Sequence, residues 1–485
     1  MQLTVSAAPR LSNIYLHGIV PRIENPKSMG RTDMTGTFHR YNVDKAIGLS
    51  IGFLIGVIPV AEYNIPVLIT LMSVVFGIKH VDRQAVKAAF PVILYCATMI
   101  GFMIYHPGGW EYDDKLAKVM ATIAIAAIPM VAMFRTYVGS LERVEVSILL
   151  GVVTICVVFA YQYFVEGGCR VSAFSVGPLG PPITLIPLTM YLVTKRCIEN
   201  RFSVLDGLVL CLLFISLSAF LGARMHFYSM TLLCIILLVF LLLKLRLRLA
   251  VTIGLCAILG TYAGYAVDKC AQFKRMENHL KIFEILLPKP SEPIKSQTQM
   301  DGVQIASNSF ILQDIRTDAT PAWYLFVPTL SDTLSAPKQS KILKVTQNSV
   351  RDRLAQAEQV ESSSALRMQI WRRSLTHIFE LETFKRFLFG SGRITERNLS
   401  SPQPHAHNQF LSWIIFAGLT GLAAALVMFA PLIYRMFNDF PVFMFVSACF
   451  LCFITDSPLW IRDTTSQFLI MLLFVLTFIK KPATR

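Results

Sequence analysis

Twelve apolar runs, each close to the roughly 17 to 25 residues a helix needs to cross about 30 Å of hydrocarbon, constrain this chain more than any other feature. They lie near 44–61, 64–78, 88–105, 117–134, 145–165, 177–194, 203–221, 226–244, 249–267, 409–434, 440–456 and 463–479. A soluble fold of 485 residues has no use for so many. The composition agrees: 54% of residues are hydrophobic, 15% are charged and the mean hydropathy is +0.55. The expectation is an all-α polytopic membrane protein with about 12 transmembrane helices, and a cytosolic enzyme, a secreted disulfide scaffold and a disordered chain are excluded. The organisation expected is a cytoplasmic tail over 1–43, nine helices over 44–267, a large, partly helical outer loop over 268–408, and helices ten to twelve with a short tail over 409–485. The polar, basic 1–43 stretch puts the first apolar run too late for a cleavable signal peptide.

Orientation follows from the basic residues. Alternate short loops and the two tails carry twenty-one Lys and Arg on one side against four on the other, Lys115, Arg170, Arg224 and Arg462. The positive-inside rule therefore predicts cytoplasmic termini and an outward-facing 268–408 loop, which is long enough to be translocated regardless of its charge. The net charge of +15 reads as a topology signal, and no nucleic-acid partner is implied. Most of the ten cysteines sit inside apolar runs, where a thiol behaves as a small hydrophobe. Cys449 and Cys452 form a CxxC with no second ligand pair in sequence, so no metal site is expected; Cys169 and Cys270 read as boundary thiols or as a pair.

Few charges fall within the runs: Asp206 lies about one turn inside the seventh, while Lys118, Glu145, Glu166 and Asp456 mark run ends. That pattern argues against an ion-coupled carrier. Candidate chemistry gathers instead in the outer stretches. Pro404-His405-Ala406-His407-Asn408 runs directly into the tenth segment, which carries Gly418 and Gly421. The positive end of a helix dipole keeps a neighbouring imidazole neutral, as a general base must be, and its open N–H groups attract phosphate. A histidine at a membrane boundary is also an ordinary amphipathic residue, and the two glycines read most simply as close helix packing. Arg224 is pinned in a very short loop between the seventh and eighth segments. Arg367 belongs to a predicted helix over 364–379 with a stripe of Leu366, Ile370, Trp371, Leu375, Ile378 and Phe379. An arginine fork suits a diphosphate, although either one alone equally reads as snorkelling to lipid headgroups. Residues 290–363 read as irregular with short helices, for instance 344–360, and Leu388-Phe389-Gly390-Ser391-Gly392 reads as a turn.

Taken together these residues resemble the O-antigen ligase and polymerase superfamily of Gram-negative envelope enzymes. The ligase pattern is His, then Asn, Ser or Gln, nine residues, and Gly-x-x-Gly; His407-Asn408, Gln409 to Ala417 and Gly418 to Gly421 fit it in full. Arg224 sits where such enzymes carry an arginine between two helices. Arg367-x-x-x-Trp371, followed by the 388–392 turn, resembles the latter part of their large loop. Asp456 with Trp460-x-Arg462 resembles a stretch of enterobacterial ligases, and Arg170-Val171-Ser172 resembles their Arg-x-Ser. The likeness spans about 145–480 and leaves 1–43 and 270–360 outside it.

The resemblance implies a metal-independent, inverting glycosyltransferase of the bacterial inner membrane, its active site facing the periplasm and its chemistry needing no cofactor. The donor would be an undecaprenyl-diphosphate-linked glycan, and the acceptor a sugar hydroxyl of lipid A-core. His407 would accept the hydroxyl proton and Arg224 and Arg367 would hold the diphosphate. His405, Asn408, Arg170, Asp456, Trp460 and Arg462 would support them. A polymerase of the same superfamily, and from a different class a carrier or flippase of lipid-linked sugars, are the alternatives.

Overall fold

The computed structural model describes residues 31–60, 64–106, 109–165, 180–221, 223–268, 310–314, 324–328, 362–379, 383–400 and 408–478. Each of the twelve apolar runs lies on helix. The first nine fall on α1 (Arg31–Val57), α2 (Asn64–Met72, prolonged to His80), α3 (Arg83–Tyr105), α4 (Gly109–Met133, prolonged to Val138), α5 (Leu141–Phe164), α6 (Gly180–Ile198), α7 (Val204–Ile215, prolonged to Phe220), α8 (Arg224–Leu243) and α9 (Leu247–Val267). Then come a hairpin of β1 (Phe310–Asp314) and β2 (Tyr324–Pro328), and three helices, α10 (Ser362–Phe379), α11 (Phe384–Phe389) and α12 (Arg393–Ser400). The last three runs form α13 (Gln409–Met436), α14 (Phe440–Thr455) and α15 (Arg462–Phe478).

Among the described residues, six stretches are long and apolar enough to cross a membrane: Arg83–Tyr105, Asp114–Val138, Leu141–Phe164, Arg224–Leu243, Leu247–Val267 and Gln409–Met436. Asn64–His80, Val204–Phe220, Phe440–Thr455 and Asp463–Phe478 are shorter apolar helices. The chain is an α-helical membrane protein. Contacts divide it into two compact units, Met1–Ile47 and Gly48–Arg485, and the bundle considered below belongs to the second.

Helix α6 is buried almost all round, from Gly180 to Cys197, and α15 is buried from Thr464 to Leu476, so these two form the middle of the bundle. Lipid-facing helices show the opposite pattern: in α9 only Ala250, Ile253, Gly260 and Gly264 are buried. Trp413 on α13 anchors the core. Its Nε1 donates to the Tyr95 hydroxyl of α3 at 3.0 Å. Its ring stands edge-on to Phe453, with centroids 5.5 Å apart. On the other side of the bundle, Gly56 of α1 meets Gly151 of α5 where a side chain on either would collide with backbone.

The 362–400 segment differs from its sequence reading in two ways. Helix α10 starts at Ser362, but only part of its stripe faces inward: Ile370 is buried with Leu411 and Ile415, and Trp371 and Ile378 pack against them. Leu375 and Phe379 face out, as do Phe384 and Phe387 on α11, giving the segment an apolar outer surface. In the stretch read as irregular, residues 310–328 contain a hairpin, with Phe310 opposite Pro328. The 344–360 helix lies outside the described residues, as do Cys169 and Cys270.

Candidate functional site

Two poles of the bundle carry clusters of buried charged groups. One is formed by the first turn of α8, the first turn of α13, the turn after α14, and α10 and α12 folded over them. Asn408 starts α13 as its N-cap, its Oδ1 accepting from the Leu411 N–H at 3.1 Å, which accounts for an asparagine there without any substrate. The next residue, Gln409, is fully buried and ties α13 to the turn after α14: its N–H donates to the Asp456 carbonyl at 3.1 Å, and its Oε1 accepts from the Leu459 N–H at 2.9 Å. Asp456, 1% exposed, caps the end of α14 and accepts from the Ser457 N–H at 2.8 Å.

Glu396 on α12 completes this scaffold. It is fully buried, pairs with Arg393 one turn earlier and accepts from the Ser412 hydroxyl at 2.9 Å; Ser412 also lies 3.2 Å from the Ser457 hydroxyl. The sequence reading missed Glu396, although an Arg and a Glu three apart on a strongly amphipathic octapeptide are a visible signal of a packed, paired face.

The Gly418-x-x-Gly421 motif proves to be a break in the helix and not a packing stripe. Gly418 combines a positive φ with an extended ψ, a region open essentially to glycine alone, and α13 kinks there. The kink frees the carbonyls of Ile415 and Phe416, and the 388–392 turn takes them up. The Ser391 N–H donates to Ile415 O at 2.7 Å. The Gly392 N–H donates to Phe416 O at 3.2 Å. Thr420 reaches back to Leu388 O at 2.8 Å. A Cβ at Gly418 would sit 2.5 Å from the Gly390 nitrogen, and one at Gly390 would sit 2.3 Å from Phe416 O. The two glycine motifs are thus the two halves of one joint. His377 of α10 adds a contact to Ser391 Oγ at 3.0 Å, and His106, just beyond α3, one to Phe389 O at 3.1 Å. Burial holds the His106 ring below its usual range, while the Phe389 and Phe416 carbonyls pull the other way.

Of the residues singled out from the sequence, Arg224 is the first residue of α8, and Arg367 lies in the second turn of α10, partly buried. His226, two positions after Arg224 and only 1% exposed, is within electrostatic reach of both Arg367 and Asp456. The charges of Arg367 and Asp456, remote in sequence, are therefore both felt by the His226 ring. His405, His407 and Arg170 lie outside the described residues; Trp460 belongs to a short 3-10 turn and Arg462 begins α15, both with side chains outside the described set.

On the elements of this pole, buried polar atoms lack hydrogen-bond partners among the described residues: both ring nitrogens of His226, Nε2 of Gln369 and of Gln409, and the hydroxyls of Ser374 and Ser400. Most of these are donors or hydroxyls able to donate, while the buried Asp456 carboxylate of the same pole is an acceptor, and leaving each hydrogen bond unmade costs roughly 1–3 kcal/mol. His226 was missed from the sequence because it sits within an apolar run; its signal is that an ionisable side chain there is a functional candidate by default.

The buried charges of the opposite pole are paired, although the buried Thr194 hydroxyl beside them has no hydrogen-bond partner among the described residues. Glu145, fully buried, binds Lys195 at 2.7 Å, Arg196 at 3.2 Å and Arg201 at 3.1 Å, and Arg196 also binds the fully buried Asp206 at 2.8 Å. Asp206 closes a capping box with Ser203 at the start of α7. A cavity of about 800 Å³ opens at this pole beside Tyr191, Lys195, Lys244, Arg435 and Asp439. Its walls are already engaged, Lys195 by Glu145 and Arg435 by Asp439 at 3.5 Å. Unmet hydrogen bonds, and not cavity size, therefore decide in favour of the 226/367/456 pole.

Fold and site define a class, a helical membrane protein with a donor-rich buried cluster at one pole. No protein-family model matches the chain, and no curated protein matches it.

Proposed function

We propose that this chain is a membrane glycosyltransferase of the O-antigen ligase type, moving an undecaprenyl-diphosphate-linked glycan to a sugar hydroxyl of lipid A-core at the periplasmic face of the bacterial inner membrane. The observation that carries the reading is the set of buried polar groups at this pole, His226, Gln369 and Gln409 among them, whose hydrogen-bonding atoms have no partner among the described residues, with His226 in electrostatic reach of Arg367 and Asp456. An anionic, oxygen-rich ligand answers that arrangement, and a diphosphate bearing a sugar is such a ligand. The excess of Lys and Arg in the alternate loops supports an outward-facing position for this pole, with twelve crossings and both termini inside.

In this mechanism Arg224 and Arg367 neutralise the diphosphate as the anomeric C–O bond breaks, and His407, directly before the N-cap of α13, takes the proton of the attacking hydroxyl. Backside attack inverts the anomeric centre. His405, Arg170, Trp460 and Arg462 serve the glycan or the acceptor phosphates. Asn408 and Asp456 act by holding the start of α13 against the end of α14.

The test uses purified full-length protein in bilayer nanodiscs, undecaprenyl-diphosphate glycan, and EDTA throughout. Core-linked glycan formed with lipid A-core is the expected product, abolished in His407→Ala. Lengthened lipid-linked chains in place of core-linked glycan would make it a polymerase, and no covalent product with either acceptor would remove transferase activity altogether.

A further inference from the structure

The segment folded over the 226/367/456 pole turns large apolar side chains outward. On α10, Leu375 and Phe379 are four residues apart, hence on one face, and both are exposed, Phe379 at 84%. On α11, Phe384 and Phe387 are three apart and exposed as well, Phe384 at 74%. Phenylalanines gathered like this on helices that do not cross the membrane mark a surface made to meet something apolar.

What they meet follows from where α11 sits. Its other face is docked on the end of α3: the Lys385 ammonium lies 5.8 Å from the centre of the ring of Tyr105, the last residue of that helix, and Phe389 packs against Phe102 with centroids 6.4 Å apart. Helix α3 is long and apolar enough to cross a membrane, and Ile104 and Tyr105 at its end are themselves exposed. A tyrosine that closes a spanning helix lies at the level of the lipid headgroups, so α11 lies there too. With about 3.6 residues per turn, Phe384 and Phe387 fall on the side of α11 away from Lys385 and Phe389, and therefore away from α3. Charge completes the match. Helices α10 and α11 carry Arg367, Arg372, Arg373, Lys385 and Arg386 and no carboxylate. An aromatic face flanked by basic residues is what an interfacial helix presents to anionic lipid. A second copy of the chain would set this basic face against itself.

We infer that the α10–α11 corner is a docking surface for the bilayer, with Phe379, Phe384 and Phe387 set among the headgroups of the leaflet at this pole and Lys385 and Arg386 on lipid phosphates. The cover over the pole is thereby seated on the membrane as well as on α13, where Ile370 packs on Leu411 and Ile415 and Glu396 binds Ser412. The inference holds whichever reaction the pole performs.

The experiment attaches a bimane label to Phe379→Cys and, separately, to Phe384→Cys in the full-length protein, in nanodiscs of phosphatidylethanolamine and phosphatidylglycerol. Ile104→Cys is the lipid-facing reference, and the unsubstituted protein gives the background from native cysteines. Both positions are expected to be quenched by phospholipid carrying a nitroxide near its headgroup as strongly as position 104, and only weakly by aqueous iodide. Strong iodide quenching with none from the lipid would put the face in water, and protection from both would mean that protein covers it; either result overturns the inference. Replacing phosphatidylglycerol by phosphatidylcholine, or combining Lys385→Glu with Arg386→Glu, is expected to lower lipid quenching at position 384 and raise iodide quenching. Quenching unchanged by both would overturn the assignment of the two basic residues to lipid phosphate.

Discussion

The two poles of this bundle both bury charged side chains and treat them in opposite ways. At the 145/196/206 pole each buried charge meets a counter-charge from another helix: Glu145 of α5 faces Lys195 and Arg196 of α6 and Arg201 of the next turn, and Arg196 faces Asp206 of α7. At the 226/367/456 pole the scaffold atoms are bonded, as Gln409 Oε1, Ser412 and Glu396 show, while donors beside them remain unused. Both have a cost in low dielectric, but only the first recovers it within the chain. The difference separates a clamp that fixes three helices from a surface prepared for something the chain does not contain.

The comparison breaks most visibly at the clamp. Glu145→Ala leaves three cations around an empty buried site, and loss of one partner of such a network costs about 3–5 kcal/mol. Chemical unfolding in detergent is expected to show that drop, with activity per folded molecule unchanged. Arg367→Ala should behave in reverse: kcat/KM for the lipid donor falls by about a hundredfold, roughly 2.7 kcal/mol, while the unfolding midpoint hardly moves. Equal stability losses in the two variants would erase the distinction between the poles.

Gly418→Ala tests the joint that carries α10 to α12 over the second pole. The strained backbone alone costs about 1–3 kcal/mol for a side chain there. The added methyl also displaces the 388–392 turn. Proteolysis between residues 379 and 409 is expected to accelerate, and donor use to fall with it. His106 gives the smallest effect. Because burial depresses its folded pKa below 6.5, the folded state binds fewer protons than the unfolded chain; its contribution is complete above that value and is lost as pH falls through the depressed pKa. His106→Gln is therefore expected to flatten the decline of stability on acidification, measured as unfolding midpoint against pH.

The sequence made some of this legible and left the rest hidden for physical reasons. Crossing helices announce themselves because apolar length is a local property, so all twelve runs lie on helix, and the pattern around 364–379 located α10 to within two residues. The Gly418 kink could not be read, because its hydrogen-bond partners come from the 388–392 turn, on the far side of α12, and an isolated helical Gly-x-x-Gly means close packing more often than a break. Glu145 was visible at a run end and Asp206 about one turn inside a run, but not that Arg196 joins them. His226 carried no local mark beyond its chemistry, and that it feels the Asp456 and Arg367 charges depends on how the turn after α14 and α10 fold back.

Photo-crosslinking with a diazirine-bearing polyprenyl-diphosphate sugar, followed by mass spectrometry of the full-length protein in nanodiscs, bears on the central claim most directly. Adducts confined to the first turns of α8 and α13, to α10 and α12, and to 456–462, competed away by unlabelled lipid, are the predicted result. Competable adducts around 139–142, 195–199 and 435–441 instead would place the ligand at the paired pole and contradict the account.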